Sequence, residues 1–203
     1  MSKLRIALLI IVIVLILFLV TNHGIRDRFV RAFGKKQEVC NLSEDTRANQ
    51  IVAPSFGKVA EIKTLATGDV AIAITLNVTD IHTQYVPAHG RVKAVIIDDT
   101  GKYNIAMQLD KSAKNSKIIT KLITQFGSMY VFQISGYLTR YIDNYLANNA
   151  VVNSGQLLGK IKFGSRVDII LPAAGYGTAL KIYAAVGDHI KGAETVIAEY
   201  VKK

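Results

Sequence analysis

The sequence predicts a mainly β fold of the α+β class. It reads as a compact sandwich-like or barrel-like domain with one minor helix, preceded by one N-terminal transmembrane helix. Three observations lead there. Ile6 to Val20 is unbroken apolar sequence. From Ile51 onward, short runs rich in Val, Ile, Thr and Tyr are broken by Gly, Asn and Asp. One stretch, Leu138–Asn148, spaces Leu138, Ile142, Tyr145 and Leu146 along a helical stripe. A length of 203 residues suits one domain of ordinary size. Half the residues are hydrophobic and one-fifth charged, which excludes a disordered tail.

The first element, residues 1–25, is the membrane anchor. No charge occurs from Ile6 to Ile25. As a helix that stretch spans ~30 Å, the hydrocarbon thickness of a bilayer. Helix is required because lipid leaves backbone polar groups no other partner. A cleaved signal peptide is the alternative, with Lys3 and Arg5 as its basic start, but Thr21-Asn22-His23-Gly24 offers no small-x-small cleavage site. Arg26, Arg28, Arg31, Lys35 and Lys36 follow the apolar run. This positive flank predicts a single-pass anchor with the body on the cytoplasmic face. Each such side chain near anionic headgroups contributes about 1 kcal/mol. The net charge of +10 therefore points to an anionic phospholipid membrane. Nucleic acid is not expected, because no zinc-finger spacing, leucine zipper or Arg-rich recognition helix accompanies the charge.

Residues 26–50 read as a basic juxtamembrane segment and linker, with Cys40 an incidental thiol. One cysteine allows no intrachain disulfide. The body is then residues 51–203. Strands are expected at Val59–Ile62, Val70–Leu76, Val92–Ile97, Tyr103–Leu109, Met129–Ile134, Lys160–Phe163, Asp168–Leu171, Leu180–Tyr183 and Thr195–Tyr200. A Pro-x-x-Gly turn at Pro54–Gly57 returns at Pro87–Gly90, each time feeding a strand. Further turns are expected at Gly68-Asp69, Asn153-Ser154-Gly155 and Gly187-Asp188. These glycines read as structural, since none belongs to a dinucleotide fingerprint or a phosphate loop.

Conventional catalytic patterns are absent. The histidines, His23, His82, His89 and His189, have no zinc-ligand spacing, so no metal site is expected. No Gly-x-Ser-x-Gly elbow occurs. What remains is Phe163-Gly164-Ser165-Arg166-Val167-Asp168, between two expected strands.

The stretch from Gly155 to Pro172, centred on that block, resembles the self-cleavage region of the short, membrane-associated, pyruvoyl-dependent phosphatidylserine decarboxylases. The tail from Val186 to Ala198 resembles that family's ending. Asp80-Ile81-His82, followed by Pro87 and Gly90, resembles its Asp-Val-His segment. Gly101-Lys102-Tyr103, Asn115 and Ile134-Ser135-Gly136 with Arg140 match further blocks, so the likeness runs in order from Ile51 to Lys203.

The resemblance implies a specific chemistry. Decarboxylating an amino acid needs an electron sink, which ordinary side chains do not provide. The sink is a pyruvoyl group made from Ser165. Its hydroxyl attacks the Gly164 carbonyl, the resulting ester eliminates, and hydrolysis with loss of ammonia leaves fragments 1–164 and 165–203. Gly164 suits this because a residue without Cβ permits close attack on its carbonyl. The two fragments are expected to stay associated. The substrate is a serine phospholipid, phosphatidylserine, converted to phosphatidylethanolamine and CO2. His82 is the candidate proton donor or carboxylate-positioning group. Arg140, Arg166 and Asn115 are candidates for substrate contact or support. A homo-oligomer is compatible with the sequence.

The chain departs from the family pattern at four places, two of which are an Asn-Glu-Arg block reduced to Asn115-Ser116-Lys117 and paired arginines reduced to Arg140-Tyr141. The first turn, Pro-x-Asp-Gly in the family, is Pro54-Ser55-Phe56-Gly57, so a phenyl ring replaces the carboxylate that helps activate a base. The family's Asn-Arg after the histidine is Gln84-Tyr85. His89 is a candidate replacement base. The alternative is a non-cleaving relative of the same fold that binds anionic lipid or a protein partner.

Overall fold

The computed structural model describes residues 48–101, 104–137, 141–162, 165–175 and 177–203. Among them are the strands β1 (Gln50–Val52), β2 (Gly57–Thr64), β3 (Val70–Thr75), β4 (Thr83–Tyr85), β5 (Gly90–Asp98), β6 (Lys117–Thr124), β7 (Gly127–Ile134), β8 (Ile142–Asn144), β9 (Val151–Val152), β10 (Leu157–Ile161), β11 (Arg166–Leu171), β12 (Thr178–Ile182), β13 (His189–Ile190) and β14 (Val196–Lys202). Among the described residues there is a single helix, α1 (Leu109–Ser112), of four residues. The body is thus mainly β with a minor helix.

The largest sheet has eight strands in the order β13-β2-β3-β11-β7-β6-β5-β9. Two three-stranded sheets, β1-β14-β12 and β4-β10-β8, accompany it. The large sheet does not close into a barrel. Its outer strands β13 and β9 each pair over two residues on one side only, with β2 and β5. The inward face of the long strands builds the core. Ile72, Ile74, Met129, Val131, Val167, Ile169 and Leu171 are fully buried there, the period-2 consequence of the pleat. Gly57 enters β2 at φ +140°, and a Cβ on it would stand 2.5 Å from the Thr75 carbonyl oxygen. Only glycine allows β2 and β3 to meet there.

Three expectations are corrected. The helix expected over Leu138–Asn148 does not form in its described part. Ile142–Asn144 is instead β8, laddered to Gly159–Ile161, and the Asn144 side chain takes the Leu146 amide at 3.0 Å. Asparagine competes for helical amides in this way. The strand expected over Tyr103–Leu109 is, where described, a turn leading into α1. Asn104 organises that turn by bonding Asn115 Oδ1 and the Lys111 carbonyl. Conversely β6 was not expected. Its inward positions alternate Ile118, Thr120, Leu122 and Thr124, so half its buried face is hydroxylic and the apolar alternation is weak. The anchor Ile6–Val20 lies outside the described residues. Among those described, no helix is long and apolar enough to cross a membrane.

Candidate active site

Adjacent strands align Thr75, Arg166, Ile134, Lys117 and Asp98 in one row across β3, β11, β7, β6 and β5. Ser165 stands one residue beyond that row, at the N-terminal end of β11. Its carbonyl accepts the Leu76 amide at 2.9 Å, extending the β3–β11 ladder by one step. Four residues upstream, the Ile161 amide donates to the His82 carbonyl at 3.1 Å. These two bonds bracket the segments 77–81 and 162–164. The sequence around Ser165 and the Asp80-Ile81-His82 segment are therefore brought to the same end of the molecule.

Ser165 is fully buried, and its Oγ has no hydrogen-bond partner among the described residues. A buried hydroxyl left unpaired costs about 1–3 kcal/mol. Among the described residues only Ser55 Oγ shares this condition. Ser55 bridges to Gln84 in the turn that precedes β2.

His82 Nδ1 lies 2.7 Å from the Asp80 carbonyl oxygen. A carbonyl only accepts, so Nδ1 carries the proton of the neutral ring and Nε2 is the basic nitrogen. Burial, the largest influence, holds the His82 pKa below its ordinary 6.5 despite the opposing Asp80 carbonyl and carboxylate. The ring is therefore neutral at pH 7.

Arg166 is buried and paired within its own strand. Nε and Nη2 donate to the two Asp168 carboxylate oxygens at 2.6 and 2.7 Å. Nη1 donates to the Leu109 carbonyl at 2.6 Å and to Ser112 Oγ at 3.0 Å. Positions i and i+2 of a strand share a face, which is why an Arg-x-Asp sequence can close this fork. Burial outweighs the arginine at Asp168, whose pKa is raised above the ordinary 3.8.

Asn115 is fully buried and fastens loops together. Its Nδ2 donates to the Asn104 and Ser135 carbonyls, both at 2.8 Å. Its Oδ1 accepts the Asn104 amide and side chain. His89 stands apart from Ser165. It is exposed, its Nδ1 donates to Asn153 Oδ1 at 2.9 Å, and it precedes β5. The other end of β5, Asp98, lies in the row beside Ser165. At about 3.3 Å per residue the strand keeps the two ends on the order of 25 Å apart. Gly164 and Arg140 lie outside the described residues.

Sequence reasoning missed a buried amide chain beneath His82. Gln84 Nε2 donates to the His82 carbonyl at 3.0 Å, and Gln133 Nε2 donates to Gln84 Oε1 at 3.0 Å. Asn144 Nδ2 in turn donates to Gln133 Oε1 and to Thr120 Oγ1. Gln84 and Gln133 are both fully buried. The available signal was Gln133 itself, a polar residue on the inward face of β7 after Met129 and Val131.

Two of the departures from the family pattern, Phe56 and Tyr85, lie against one another. The Phe56 and Tyr85 rings are 6.3 Å apart and tilted by 60°. Gly192 seats both, since a Cβ there would meet Tyr85 at 2.7 Å and Phe56 at 3.1 Å. Burial first, then the Glu194 carboxylate, pushes the Tyr85 phenol up to about 12. No carboxylate stands at position 56, and the group orienting His82 is a backbone carbonyl.

Comparison with known proteins identifies the family. Residues 25–198 match the phosphatidylserine decarboxylase family. A phosphatidylserine decarboxylase proenzyme of Desulfotalea psychrophila is 30% identical over 158 residues, covering 74% of this chain and 71% of that protein. One from Chlorobaculum parvum is 31% identical over 157 residues, covering 75% and 71%. One from Rickettsia bellii is 33% identical over 164 residues, covering 75% and 68%. No solved structure matches at a significant level.

Proposed function

The chain belongs to the phosphatidylserine decarboxylase family, and from that premise we propose that it converts phosphatidylserine to phosphatidylethanolamine and CO2 after cleaving itself between Gly164 and Ser165. The observation that carries this reading is the Ser165 hydroxyl, buried without a partner at the end of β11. Ser55 Oγ shares that condition, but of the two only Ser165 directly follows the Gly164 carbonyl that its hydroxyl would attack. A nucleophile awaiting its proton acceptor need not be hydrogen-bonded at rest.

The residues present fit a pyruvoyl group derived from Ser165. Once formed, that group supplies a carbonyl able to take up the electron pair released as CO2 leaves. The rest is the work of the chain's own side chains. Ser165 Oγ attacks the Gly164 carbonyl carbon, the new C–O bond replaces the C–N bond, and the Ser165 amine is released. His82 Nε2 accepts the hydroxyl proton, and the Asp80 carbonyl at Nδ1 keeps the ring in the tautomer this requires. His82 passes that proton to the departing amine and then takes the Ser165 Cα proton, so that elimination expels the Gly164 carboxylate and leaves dehydroalanine at position 165. Water displaces ammonia and completes the new terminus.

Arg166 supports this segment. By bonding Asp168, Leu109 and Ser112 it fixes the residue next to Ser165 against the α1 loop. Fragment 165–203 supplies β11, which lies between β3 and β7, and β14, which lies between β1 and β12. The ladders of β11 to β3 and β7, and of β14 to β1, would keep the fragments together after cleavage. The apolar run Ile6–Val20 and its basic flank would hold the body at the cytoplasmic face of an anionic membrane, where the substrate lies.

The activity is tested by supplying the full chain with phosphatidylserine vesicles and measuring the lipid products by mass. Phosphatidylethanolamine appearing with the cleaved chain supports the reading. No product from fully cleaved chain overturns it.

A further inference from the structure

Ser165 is surrounded by loops that show apolar side chains to solvent. Val78 (62% exposed) lies between β3 and β4, and Met107 (63%) lies with the exposed Ile105 between β5 and β6. Tyr137 (62%) and the exposed Tyr141 lie between β7 and β8. These loops are fastened to one another around the serine. Arg166 holds the Leu109 carbonyl, Asn115 holds the Ser135 carbonyl, and the Leu76 amide holds Ser165 itself. The other large exposed apolar residues are on strands, such as Ile96, Ile97 and Val151, or in turns after β8 and β12. Separate apolar tips around one site are the form of a surface that enters an interface shallowly, not of a groove that receives a peptide.

Charge selects the occupant. Exposed Lys111 and Lys114 share the Met107 loop, and Lys162 Nζ lies 4.3 Å from the centre of the Tyr141 ring. The exposed acids on these loops are Asp99 and Asp110, while Asp80 turns back to accept the Asn77 amide at 2.7 Å. The whole chain is +10. Tyrosine and lysine beside apolar tips suit the headgroup layer of an anionic bilayer.

We propose that the loops bearing Val78, Ile105, Met107, Tyr137 and Tyr141 form a bilayer-docking face that lowers the Ser165 end into the headgroup layer. This rests on the decarboxylase reading, because a diacyl substrate then presents its serine headgroup to Ser165 without leaving the membrane. The face acts in addition to the N-terminal apolar run.

The chain has no tryptophan, so one introduced tryptophan reports alone. Full-length Met107→Trp, Tyr137→Trp and, as a control at the end of the β5–β6 ladder opposite Asp98, Val151→Trp are placed in vesicles of phosphatidylethanolamine and phosphatidylglycerol. The expected result is a blue shift for the first two, with quenching when the lipid acyl chains carry bromine, and neither change for Val151→Trp. Equal quenching of all three overturns the proposal, as does none. So does a blue shift already present in detergent without quenching by brominated lipid, which indicates burial against a second copy. The same reading is made in a Ser165→Ala background, where quenching is expected to remain although decarboxylation is lost. In chains that keep Ser165, quenching without decarboxylation counts against the catalytic reading alone. Decarboxylation retained without quenching counts against the docking face alone.

Discussion

His82 donates its Nδ1 proton to the backbone carbonyl of Asp80 across 2.7 Å. The orienting acceptor is part of the main chain and cannot be lost by side-chain substitution. Position 56, where the family pattern has a carboxylate, holds a phenyl ring packed on Tyr85. The maturation chemistry proposed for this chain therefore hangs on His82 and on the backbone that aims it.

The first prediction concerns pH. Burial lowers the His82 pKa below 6.5, so the basic form is complete at neutrality. Self-cleavage should be independent of pH above about 7 and should slow as pH falls through the lowered His82 value. The stability linkage has the same sign. A depressed folded pKa contributes stability present above the unfolded value, and this is lost as pH falls through the folded one. Intact-mass time courses from about pH 5 to 8 check the rate. Cleavage that accelerates on acidification contradicts a basic role for His82.

The second concerns Phe56. Replacing it with alanine removes a partly buried ring from Tyr85 and Gly192 and should cost roughly 1–3 kcal/mol, less than a fully buried Phe→Ala change. Urea denaturation measures that loss. Cleavage should be unchanged, because Asp80, not position 56, orients His82. Abolished cleavage in a folded Phe56→Ala chain would assign the ring a part in the chemistry.

The third concerns the Arg166–Asp168 pair. Asp168→Asn leaves a buried guanidinium without its charge partner and should cost about 3–5 kcal/mol. Arg166→Met removes the influence that opposes burial, so the Asp168 pKa, already above 3.8, should rise further. A raised folded pKa means stability present at low pH and lost as pH rises through it. The deficit of Arg166→Met relative to the native chain should thus shrink on acidification. Carboxyl carbon NMR of Asp168 and denaturation at several pH values check both statements. An Asp168 pKa that falls in Arg166→Met contradicts the assigned balance.

The legible parts of this protein were those whose cause is local. The turns Pro54–Gly57 and Pro87–Gly90 feed β2 and β5 as their Pro-x-x-Gly pattern predicts. Met129, Val131 and Ile169 announce core strands by alternation. The Phe163–Asp168 block and the Asp80–His82 segment were singled out through family resemblance alone. Where partners are distant, the sequence was silent. Gln84, Gln133 and Asn144 look like ordinary polar residues until β4, β7 and β8 bring their amides together. The spacing of Ile142 and Tyr145 suggested helix because nothing local shows that β10 will pair with Ile142–Asn144. Thr120 and Thr124 hid β6, since a hydroxylic inward face weakens the pattern that marks a strand.

The central claim is that Ser165 divides the chain. Intact-mass measurement of the purified full-length protein, beside Ser165→Ala and His82→Ala, tests it directly. The account predicts two associated fragments, 1–164 and 165–203, the smaller beginning with a pyruvoyl group in place of Ser165, and a single uncut chain for both variants. A native chain that stays whole after full expression, or a Ser165→Ala chain cut at the same bond, would contradict it.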